Sequence, residues 1–290
     1  MSADPAAERT QEMARKSRPN WASRHDLLLY FVLAYALSWS IWPLVVLNPT
    51  SAPLVPFGPL IAAAVVSLAA GGRRRLNALL AQLTRWRVHV VYYLIAVTGP
   101  FLVSLAAARL TVATGAPVPR PLGDTDPVTI LVTLLTTILM VGLFEEVGWR
   151  GFALPRLQRR MPTLWAALTL GGIWALWHLP VLTSDPTGQR PLLPFVIGIL
   201  AQSLILAWLY NNSGLLIVII FHAAVNTATR FTLTGFAESD YHIAWWAQTG
   251  LYVLLALLVI VLGGSTRAST RGVSLSSSVA SPVYPPHHDH

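Results

Sequence analysis

Eight apolar runs separated by short polar connections fill most of the chain, at residues 27–47, 54–70, 89–114, 128–147, 163–182, 192–210, 214–231 and 243–263. Each approaches the ~20 residues that carry a helix across the hydrocarbon core of a bilayer. The pattern predicts an all-α, polytopic membrane helix bundle of about eight transmembrane helices, forming one membrane domain over residues 25–264. No internal repeat of the kind found in transporter halves is visible. Between the second and third runs, Leu76 to Val88 reads LNALLAQLTRWRV, with apolar residues at helical spacing beside Arg85 and Arg87. That is the pattern of a short helix lying on the membrane surface. Trp39, Trp42, Trp245 and Trp246 fall near the outer ends of the first and last runs, where indole rings favour the interface. Residues 1–24 read as a polar cytoplasmic tail and residues 265–290, rich in Ser, Pro and Val, as a disordered one. The terminal HHDH is too exposed and flexible to be assigned a role.

Composition agrees. Of 290 residues 54% are hydrophobic and 11% charged, with a mean hydropathy of +0.57, against ~25% charged in soluble domains. There is no cysteine, so disulfides and thiolate metal sites are excluded, and any chemistry falls to His, Glu, Asp, Asn, Ser or Thr. The formal charge of +8 comes from short clusters between apolar runs, which argues for a membrane surface and against nucleic acid. Counted on alternating sides, one side holds sixteen Lys and Arg and the other only Arg120, Arg190 and Arg230. Cytoplasmic loops carry the excess, so both termini are expected in the cytoplasm. Lys16 is the only lysine, a bias of GC-rich genomes that suggests a bacterial cytoplasmic membrane. Membrane lipids are then the first partners.

A charge at the bilayer centre costs about 2.5–3.5 kcal/mol on insertion scales, so ionisable groups within the runs are functional candidates. They are Glu145, Glu146 and Arg150 on the fourth run, His178 on the fifth, and His222 with Asn226 on the seventh. His89 and Arg109, at the ends of the third, can reach an interface. Glu146 and Arg150 are four apart and can pair on one helix face. Glu145, rotated about 100° from Glu146, has no local partner and needs one from another helix. Gly142, one turn before Glu146, admits a close neighbour. In GGIWALWHLP, Gly171, Trp174 and His178 share a face, and in FHAAVN, His222 and Asn226 are one turn apart. Singly, each has a bland reading as a packing histidine, a helix-to-helix hydrogen bond or a solvated cap. Jointly they offer carboxylate, imidazole and carboxamide from three helices.

These spacings resemble the CAAX-prenyl-protease and bacteriocin-processing (CPBP, or Abi) intramembrane endopeptidases, whose pattern is EExxxR, an aromatic shortly before a His, and HxxxN or HxxxD. Here the pattern reads Glu145-Glu146-Val-Gly-Trp-Arg150, Trp174-Ala-Leu-Trp-His178 and His222-Ala-Ala-Val-Asn226. The continuation EEVGWRGFALPRLQ is similar to the family's as well. Trp174 stands where phenylalanine is commoner. The resemblance covers about residues 128–232 and implies cleavage of a peptide bond in a membrane-associated, lipidated or unlipidated, protein or peptide. It implies Glu145 as the base that activates water, His178 as a holder of that water, and His222 with Asn226 as stabilisers of the oxyanion. Glu146, Arg150 and Trp174 would shape the site. The family leaves open both a metal-free glutamate mechanism and a zinc one, for which Glu145, His178 and His222 would be the ligand set.

One conflict stands in this reading. The run boundaries place Glu145 within about 5 Å of the inner end of the fourth run but His178 about 22 Å from that of the fifth. Either the fourth helix continues through Arg150 toward Leu157, or the fifth starts near Ala167 and both tilt; a mixture of the two is expected, because GWRGFALPRL stays partly apolar and helical until Pro155. The cavity so formed is expected to open toward the cytoplasm. The competing readings are an ion- or proton-coupled transporter and a non-catalytic immunity or scaffold protein. Neither the substrate nor the oligomeric state follows from the sequence.

Overall fold

The computed structural model describes residues 21–43, 54–119, 126–183 and 191–270. The loops holding Arg120 and Arg190, most of the N-terminal tail and the terminal HHDH lie outside them. The described residues are helical, with no strand among them. The helices are α1 (Trp21–Arg24), α2 (Asp26–Trp39), α3 (Gly58–Leu80), α4 (Val90–Ala113), α5 (Pro127–Gln158), α6 (Thr163–Trp177), α7 (Leu179–Thr183), α8 (Leu192–Ser213), α9 (Leu215–Thr232) and α10 (Glu238–Thr270). Each predicted apolar run contributes a helix. Five of these, α4, α5, α8, α9 and residues Ser239–Val261 of α10, are long and apolar enough to cross a membrane, while α2 and α6 are apolar but shorter. The chain is an all-helical, multi-pass integral membrane protein.

Helix α9 is the hub. It packs against α4, α8 and both halves of α5, while α8 packs against α6 and α10, and α2 against α3. The apolar window of α9 is 67% buried within the protein, against 6% for that of α5. Helix α5 explains its own low figure. Its first half, VTILVTLLTTILM, is apolar on all sides and turns mostly outward, whereas residues 145–154, with both glutamates and Arg150, are buried throughout. Lipid is as apolar as leucine, so nothing drives the most hydrophobic stretch inward, and the charged stretch needs protein around it.

Small residues permit the close contacts. A Cβ on Gly142 would sit 2.6 Å from the Ile219 carbonyl oxygen of α9, and one on Gly171 would sit 2.9 Å from the Ser203 Cβ of α8, as their positions in the motifs suggested. Gly72, at φ 62°, breaks α3 so that residues 73–80 and a following 3₁₀ turn, Ala81–Thr84, run in a new direction. The surface helix expected over 76–88 therefore starts at this kink and ends at Thr84. Gly214, at φ 90°, is the single residue joining α8 to α9. Both positions need the left-handed conformations glycine adopts without strain. The ends are capped by His89, which accepts from the Val91 N–H at the start of α4, and by Asp126, which accepts from the Thr129 N–H at the start of α5. Helix α10 extends to Thr270, past the expected boundary at Gly264.

The tryptophans divide. Trp246 is exposed, as an interfacial anchor would be. Trp39 instead donates its indole N–H to the Trp177 carbonyl at the end of α6, at 3.0 Å, and Trp245 packs against Phe195 and Tyr241.

Candidate functional site

The depth conflict between Glu145 and His178 is resolved by α5, which runs unbroken to Gln158, while α6 begins at Thr163. Glu145 is then thirteen residues from the end of α5 and His178 fifteen from the start of α6, so the two lie at comparable depth. Of the expected mixture, the continuation of the fourth helix holds, while the later start of the fifth does not. The short α-helical turn Phe144–Glu146 is flanked by two wide π-helical segments, Ile138–Leu143 and Val147–Ala153. Such wide turns are rare and concentrate at functional sites.

Glu146 is fully buried. Its Oε1 accepts a hydrogen bond from Arg150 at 2.8 Å, the expected intrahelical pair. The same oxygen lies 2.8 Å from His222 Nδ1 on α9, at ion-pair distance but out of line for a hydrogen bond. The Arg150 guanidinium, also fully buried, stacks over the Trp174 ring at 4.3 Å. An aromatic face partly compensates a desolvated cation, as needed here because Arg150 Nε has no hydrogen-bond partner among the described residues. Glu146 therefore joins α5 to α9 as well as holding Arg150, a connection the sequence spacing did not disclose.

Glu145 finds its partner on another helix, as required, but the partner is Trp174. The indole N–H donates to Glu145 Oε2 at 2.9 Å. Trp174 also stands edge to face against both imidazoles, with centroids 5.5 Å from His178 and 5.2 Å from His222. The departure from phenylalanine at this position was the available signal, since phenylalanine has no N–H to give a carboxylate.

His178 follows the last residue of α6, where Pro180 has no N–H to continue the ladder. Its Nδ1 lies 2.8 Å from the Trp174 carbonyl. A carbonyl only accepts, so Nδ1 carries a proton. The ring is held by Trp177 and Phe195 at 5.0 and 5.4 Å. On α9, His222 is buried, whereas Asn226 is exposed and donates one amide N–H to the His222 carbonyl at 3.1 Å. Five of the seven motif residues, Glu145, Glu146, Arg150, Trp174 and His222, thus form one buried contact network. His178 joins it through Trp174, and Asn226 stands at its rim.

Among the described residues no three of His, Asp and Glu are grouped closely enough to hold a metal ion. The Trp174 indole lies against both imidazoles, His222 turns Nδ1 to Glu146, and Glu145 is bonded to the indole. This arrangement does not fit a zinc site made of Glu145, His178 and His222. A cavity of about 580 Å³ opens elsewhere, at the arginine-rich end of α5, and includes none of the motif residues in its walls.

A multi-pass helical membrane protein that buries two carboxylates, a guanidinium and an imidazole at a three-helix junction defines the class. Residues 127–228 match the family model "Type II CAAX prenyl endopeptidase Rce1-like". A curated relative, CAAX prenyl protease 2 of Methanococcus maripaludis, is 33% identical over 143 residues, covering 46% of this chain and 51% of the relative. The chain thus spans about half the length of the curated relative it matches. Both findings support the CPBP family, in agreement with the three motifs.

Proposed function

We propose that this protein is an intramembrane endopeptidase that hydrolyses a peptide bond of a membrane-associated protein or peptide. The observation that carries the reading is Glu145, buried among apolar helices and oriented by the Trp174 N–H, with His178 and His222 on either side of the same indole. A carboxylate so placed has a free oxygen, Oε1, for a water proton. Nε2 of His178 accepts the other hydrogen of that water, which aligns an oxygen lone pair with the scissile carbonyl. Glu145 takes the proton as the hydroxide adds to the carbonyl carbon. The resulting oxyanion is held by His222 Nε2–H, on a ring whose Nδ1 edge faces Glu146, and by the second amide N–H of Asn226. The tetrahedral adduct collapses as protonated Glu145 returns its proton to the leaving amine. Trp174, Glu146 and Arg150 are positioning residues.

The relative's name supplies the substrate class to test first, a peptide ending in a prenylated CAAX sequence. Arginine-rich composition and the charge asymmetry of the loops favour a bacterial cytoplasmic membrane, with both termini on the cytoplasmic side and up to eight crossings. The purified protein in liposomes is expected to cleave a prenylated CAAX peptide, or another membrane-associated peptide from a substrate panel. Glu145→Ala should abolish turnover, and His178→Ala and His222→Ala should reduce it at least a hundredfold. Full activity of Glu145→Ala would remove the proposed base. Zinc content of the purified protein, with activity after chelation, decides whether a metal joins these side chains.

A further inference from the structure

The cavity of about 580 Å³ at the far end of α5 has a composition the proposed chemistry does not use. Four arginines line it, Arg75 from the segment of α3 beyond its kink and Arg156, Arg159 and Arg160 from the end of α5 and the turn after it, and one carboxylate, Asp26. Asp26 accepts from Arg156 Nε at 2.8 Å and lies 3.8 Å from Arg160. Arg156 is otherwise committed to the Phe152 carbonyl and to the Phe152 ring, over which it lies at 3.5 Å. No carboxylate of the described residues pairs with Arg75 or Arg159. The polar wall opposite is internally satisfied, because Tyr210 donates to Gln82 Oε1 and Gln82 donates to the Gly151 carbonyl. The charged donors facing the cavity are therefore guanidinium groups, and its walls carry an excess of three positive charges.

Guanidinium forks converging from two helices suit an oxyanion with several acceptor oxygens. The volume is that of a small-molecule site, well beyond one carboxylate. Exposed Leu80 follows Arg75 on the same helical segment. Basic pockets between membrane helices at the cytoplasmic face are suited to anionic headgroups. We infer that this cavity is a phosphate-binding site, taking either the phosphate of an anionic phospholipid or a free phosphate compound, with Arg75 and Arg159 as its principal ligands and Arg156 and Asp26 as the frame that holds it open.

The test is thermal unfolding and native mass spectrometry of the purified full chain, titrated with inorganic phosphate, with phosphatidylglycerol and with phosphatidylcholine. Stabilisation and discrete adducts with phosphatidylglycerol, absent with phosphatidylcholine, identify a lipid site; a saturable response to inorganic phosphate identifies a soluble source. Arg75→Gln and Arg159→Gln should each weaken the response about fivefold, from the ~1 kcal/mol that a basic side chain contributes near an anionic surface. The exposed neighbours Arg73 and Arg74, outside the cavity, serve as controls, and the R73Q/R74Q pair should bind as the unmodified chain does. The inference is overturned if neither phosphate nor phosphatidylglycerol binds. It is equally overturned if the R75Q/R159Q pair binds unchanged, or if R73Q/R74Q weakens binding as much as R75Q/R159Q.

Discussion

Helix α5 carries two ion-pair clusters six residues apart that differ in almost every physical respect. Glu146 and Arg150 are both 0% exposed, with His222 against the same carboxylate oxygen. Asp26 and Arg156 are 9% and 15% exposed, and Arg160 is 54% exposed at 3.8 Å. In the first cluster the charges are balanced by groups that cannot leave, and the surrounding helices exclude water. In the second, cation exceeds anion and one wall is a cavity. The difference teaches where a charge acts as structure and where it is available to a ligand. A buried pair is held by the cost of exposing either partner alone, whereas a peripheral pair contributes little and can rearrange.

The largest effect should come from breaking the buried pair. Arg150→Met leaves Glu146 with only the His222 ring beside it, and Glu146→Gln leaves Arg150 without its hydrogen-bonded carboxylate. Each should cost about 3–5 kcal/mol, read as loss of folded protein or a marked fall in Tm. The double variant, with neither charge, should recover part of that loss. If the single variants fold as stably as the native chain, the pair is not a structural element and its place in the site must be functional alone.

Second comes Trp174→Phe, which keeps an aromatic ring near Arg150 but removes the N–H to Glu145 and part of the buried ring volume. Hydrogen bonds to charged groups are worth about 1.5–3 kcal/mol, so activity should fall roughly ten- to a hundredfold, mainly in kcat with little change in KM, while the smaller ring lowers Tm through the space it leaves. A fall in Tm with kcat unchanged would make the indole a packing residue instead of a positioning one. Third is Asp26→Asn at the peripheral cluster, where the partly exposed pair predicts a cost of roughly 1 kcal/mol. The proposed site around Glu145, separated from it by the buried stretch of α5, should retain its activity.

The same contrast shows what could be read from the sequence. Helices were legible because apolar runs of spanning length have one backbone solution in lipid. The pair Glu146–Arg150 was legible from spacing, and so were the close approaches at Gly142 and Gly171. The end of α5 was not. Hydropathy stops at Val147 because Trp149, Arg150 and Arg156 dilute the run, yet protein contacts continue the helix to Gln158. Nor does hydropathy report which side of a membrane helix is buried, since lipid accepts leucine as readily as a protein core does. For that reason the contact of His222 with Glu146, and the bond from Trp174 to Glu145, appeared only when three helices were assembled. Sequence placed Asn226 beside His222 correctly, but its exposure depends on what α9 meets at that turn.

The smallest effect belongs to the opposite, lipid-facing end of α5, where Asp126 is the N-cap. Its carboxylate accepts from the Thr129 hydroxyl at 2.6 Å and from the Thr129 backbone N–H at 3.0 Å. These bonds favour the ionised form and hold its pKa below the ordinary aspartate range. A depressed folded-state pKa means that the cap's contribution is complete above the unfolded value of about 3.9 and is lost as pH falls through the lower folded value. Between neutral pH and about pH 5 the native chain and Asp126→Asn should therefore differ by a constant small amount in Tm, because asparagine still caps. That difference should shrink only in more acidic solution. Asp126→Ala removes the cap at every pH and should show no such convergence of its own Tm toward that of Asp126→Asn at neutral pH. A native-to-Asn difference that instead changed between pH 5 and pH 8 would show that another group, not this cap, governs the acid response of α5.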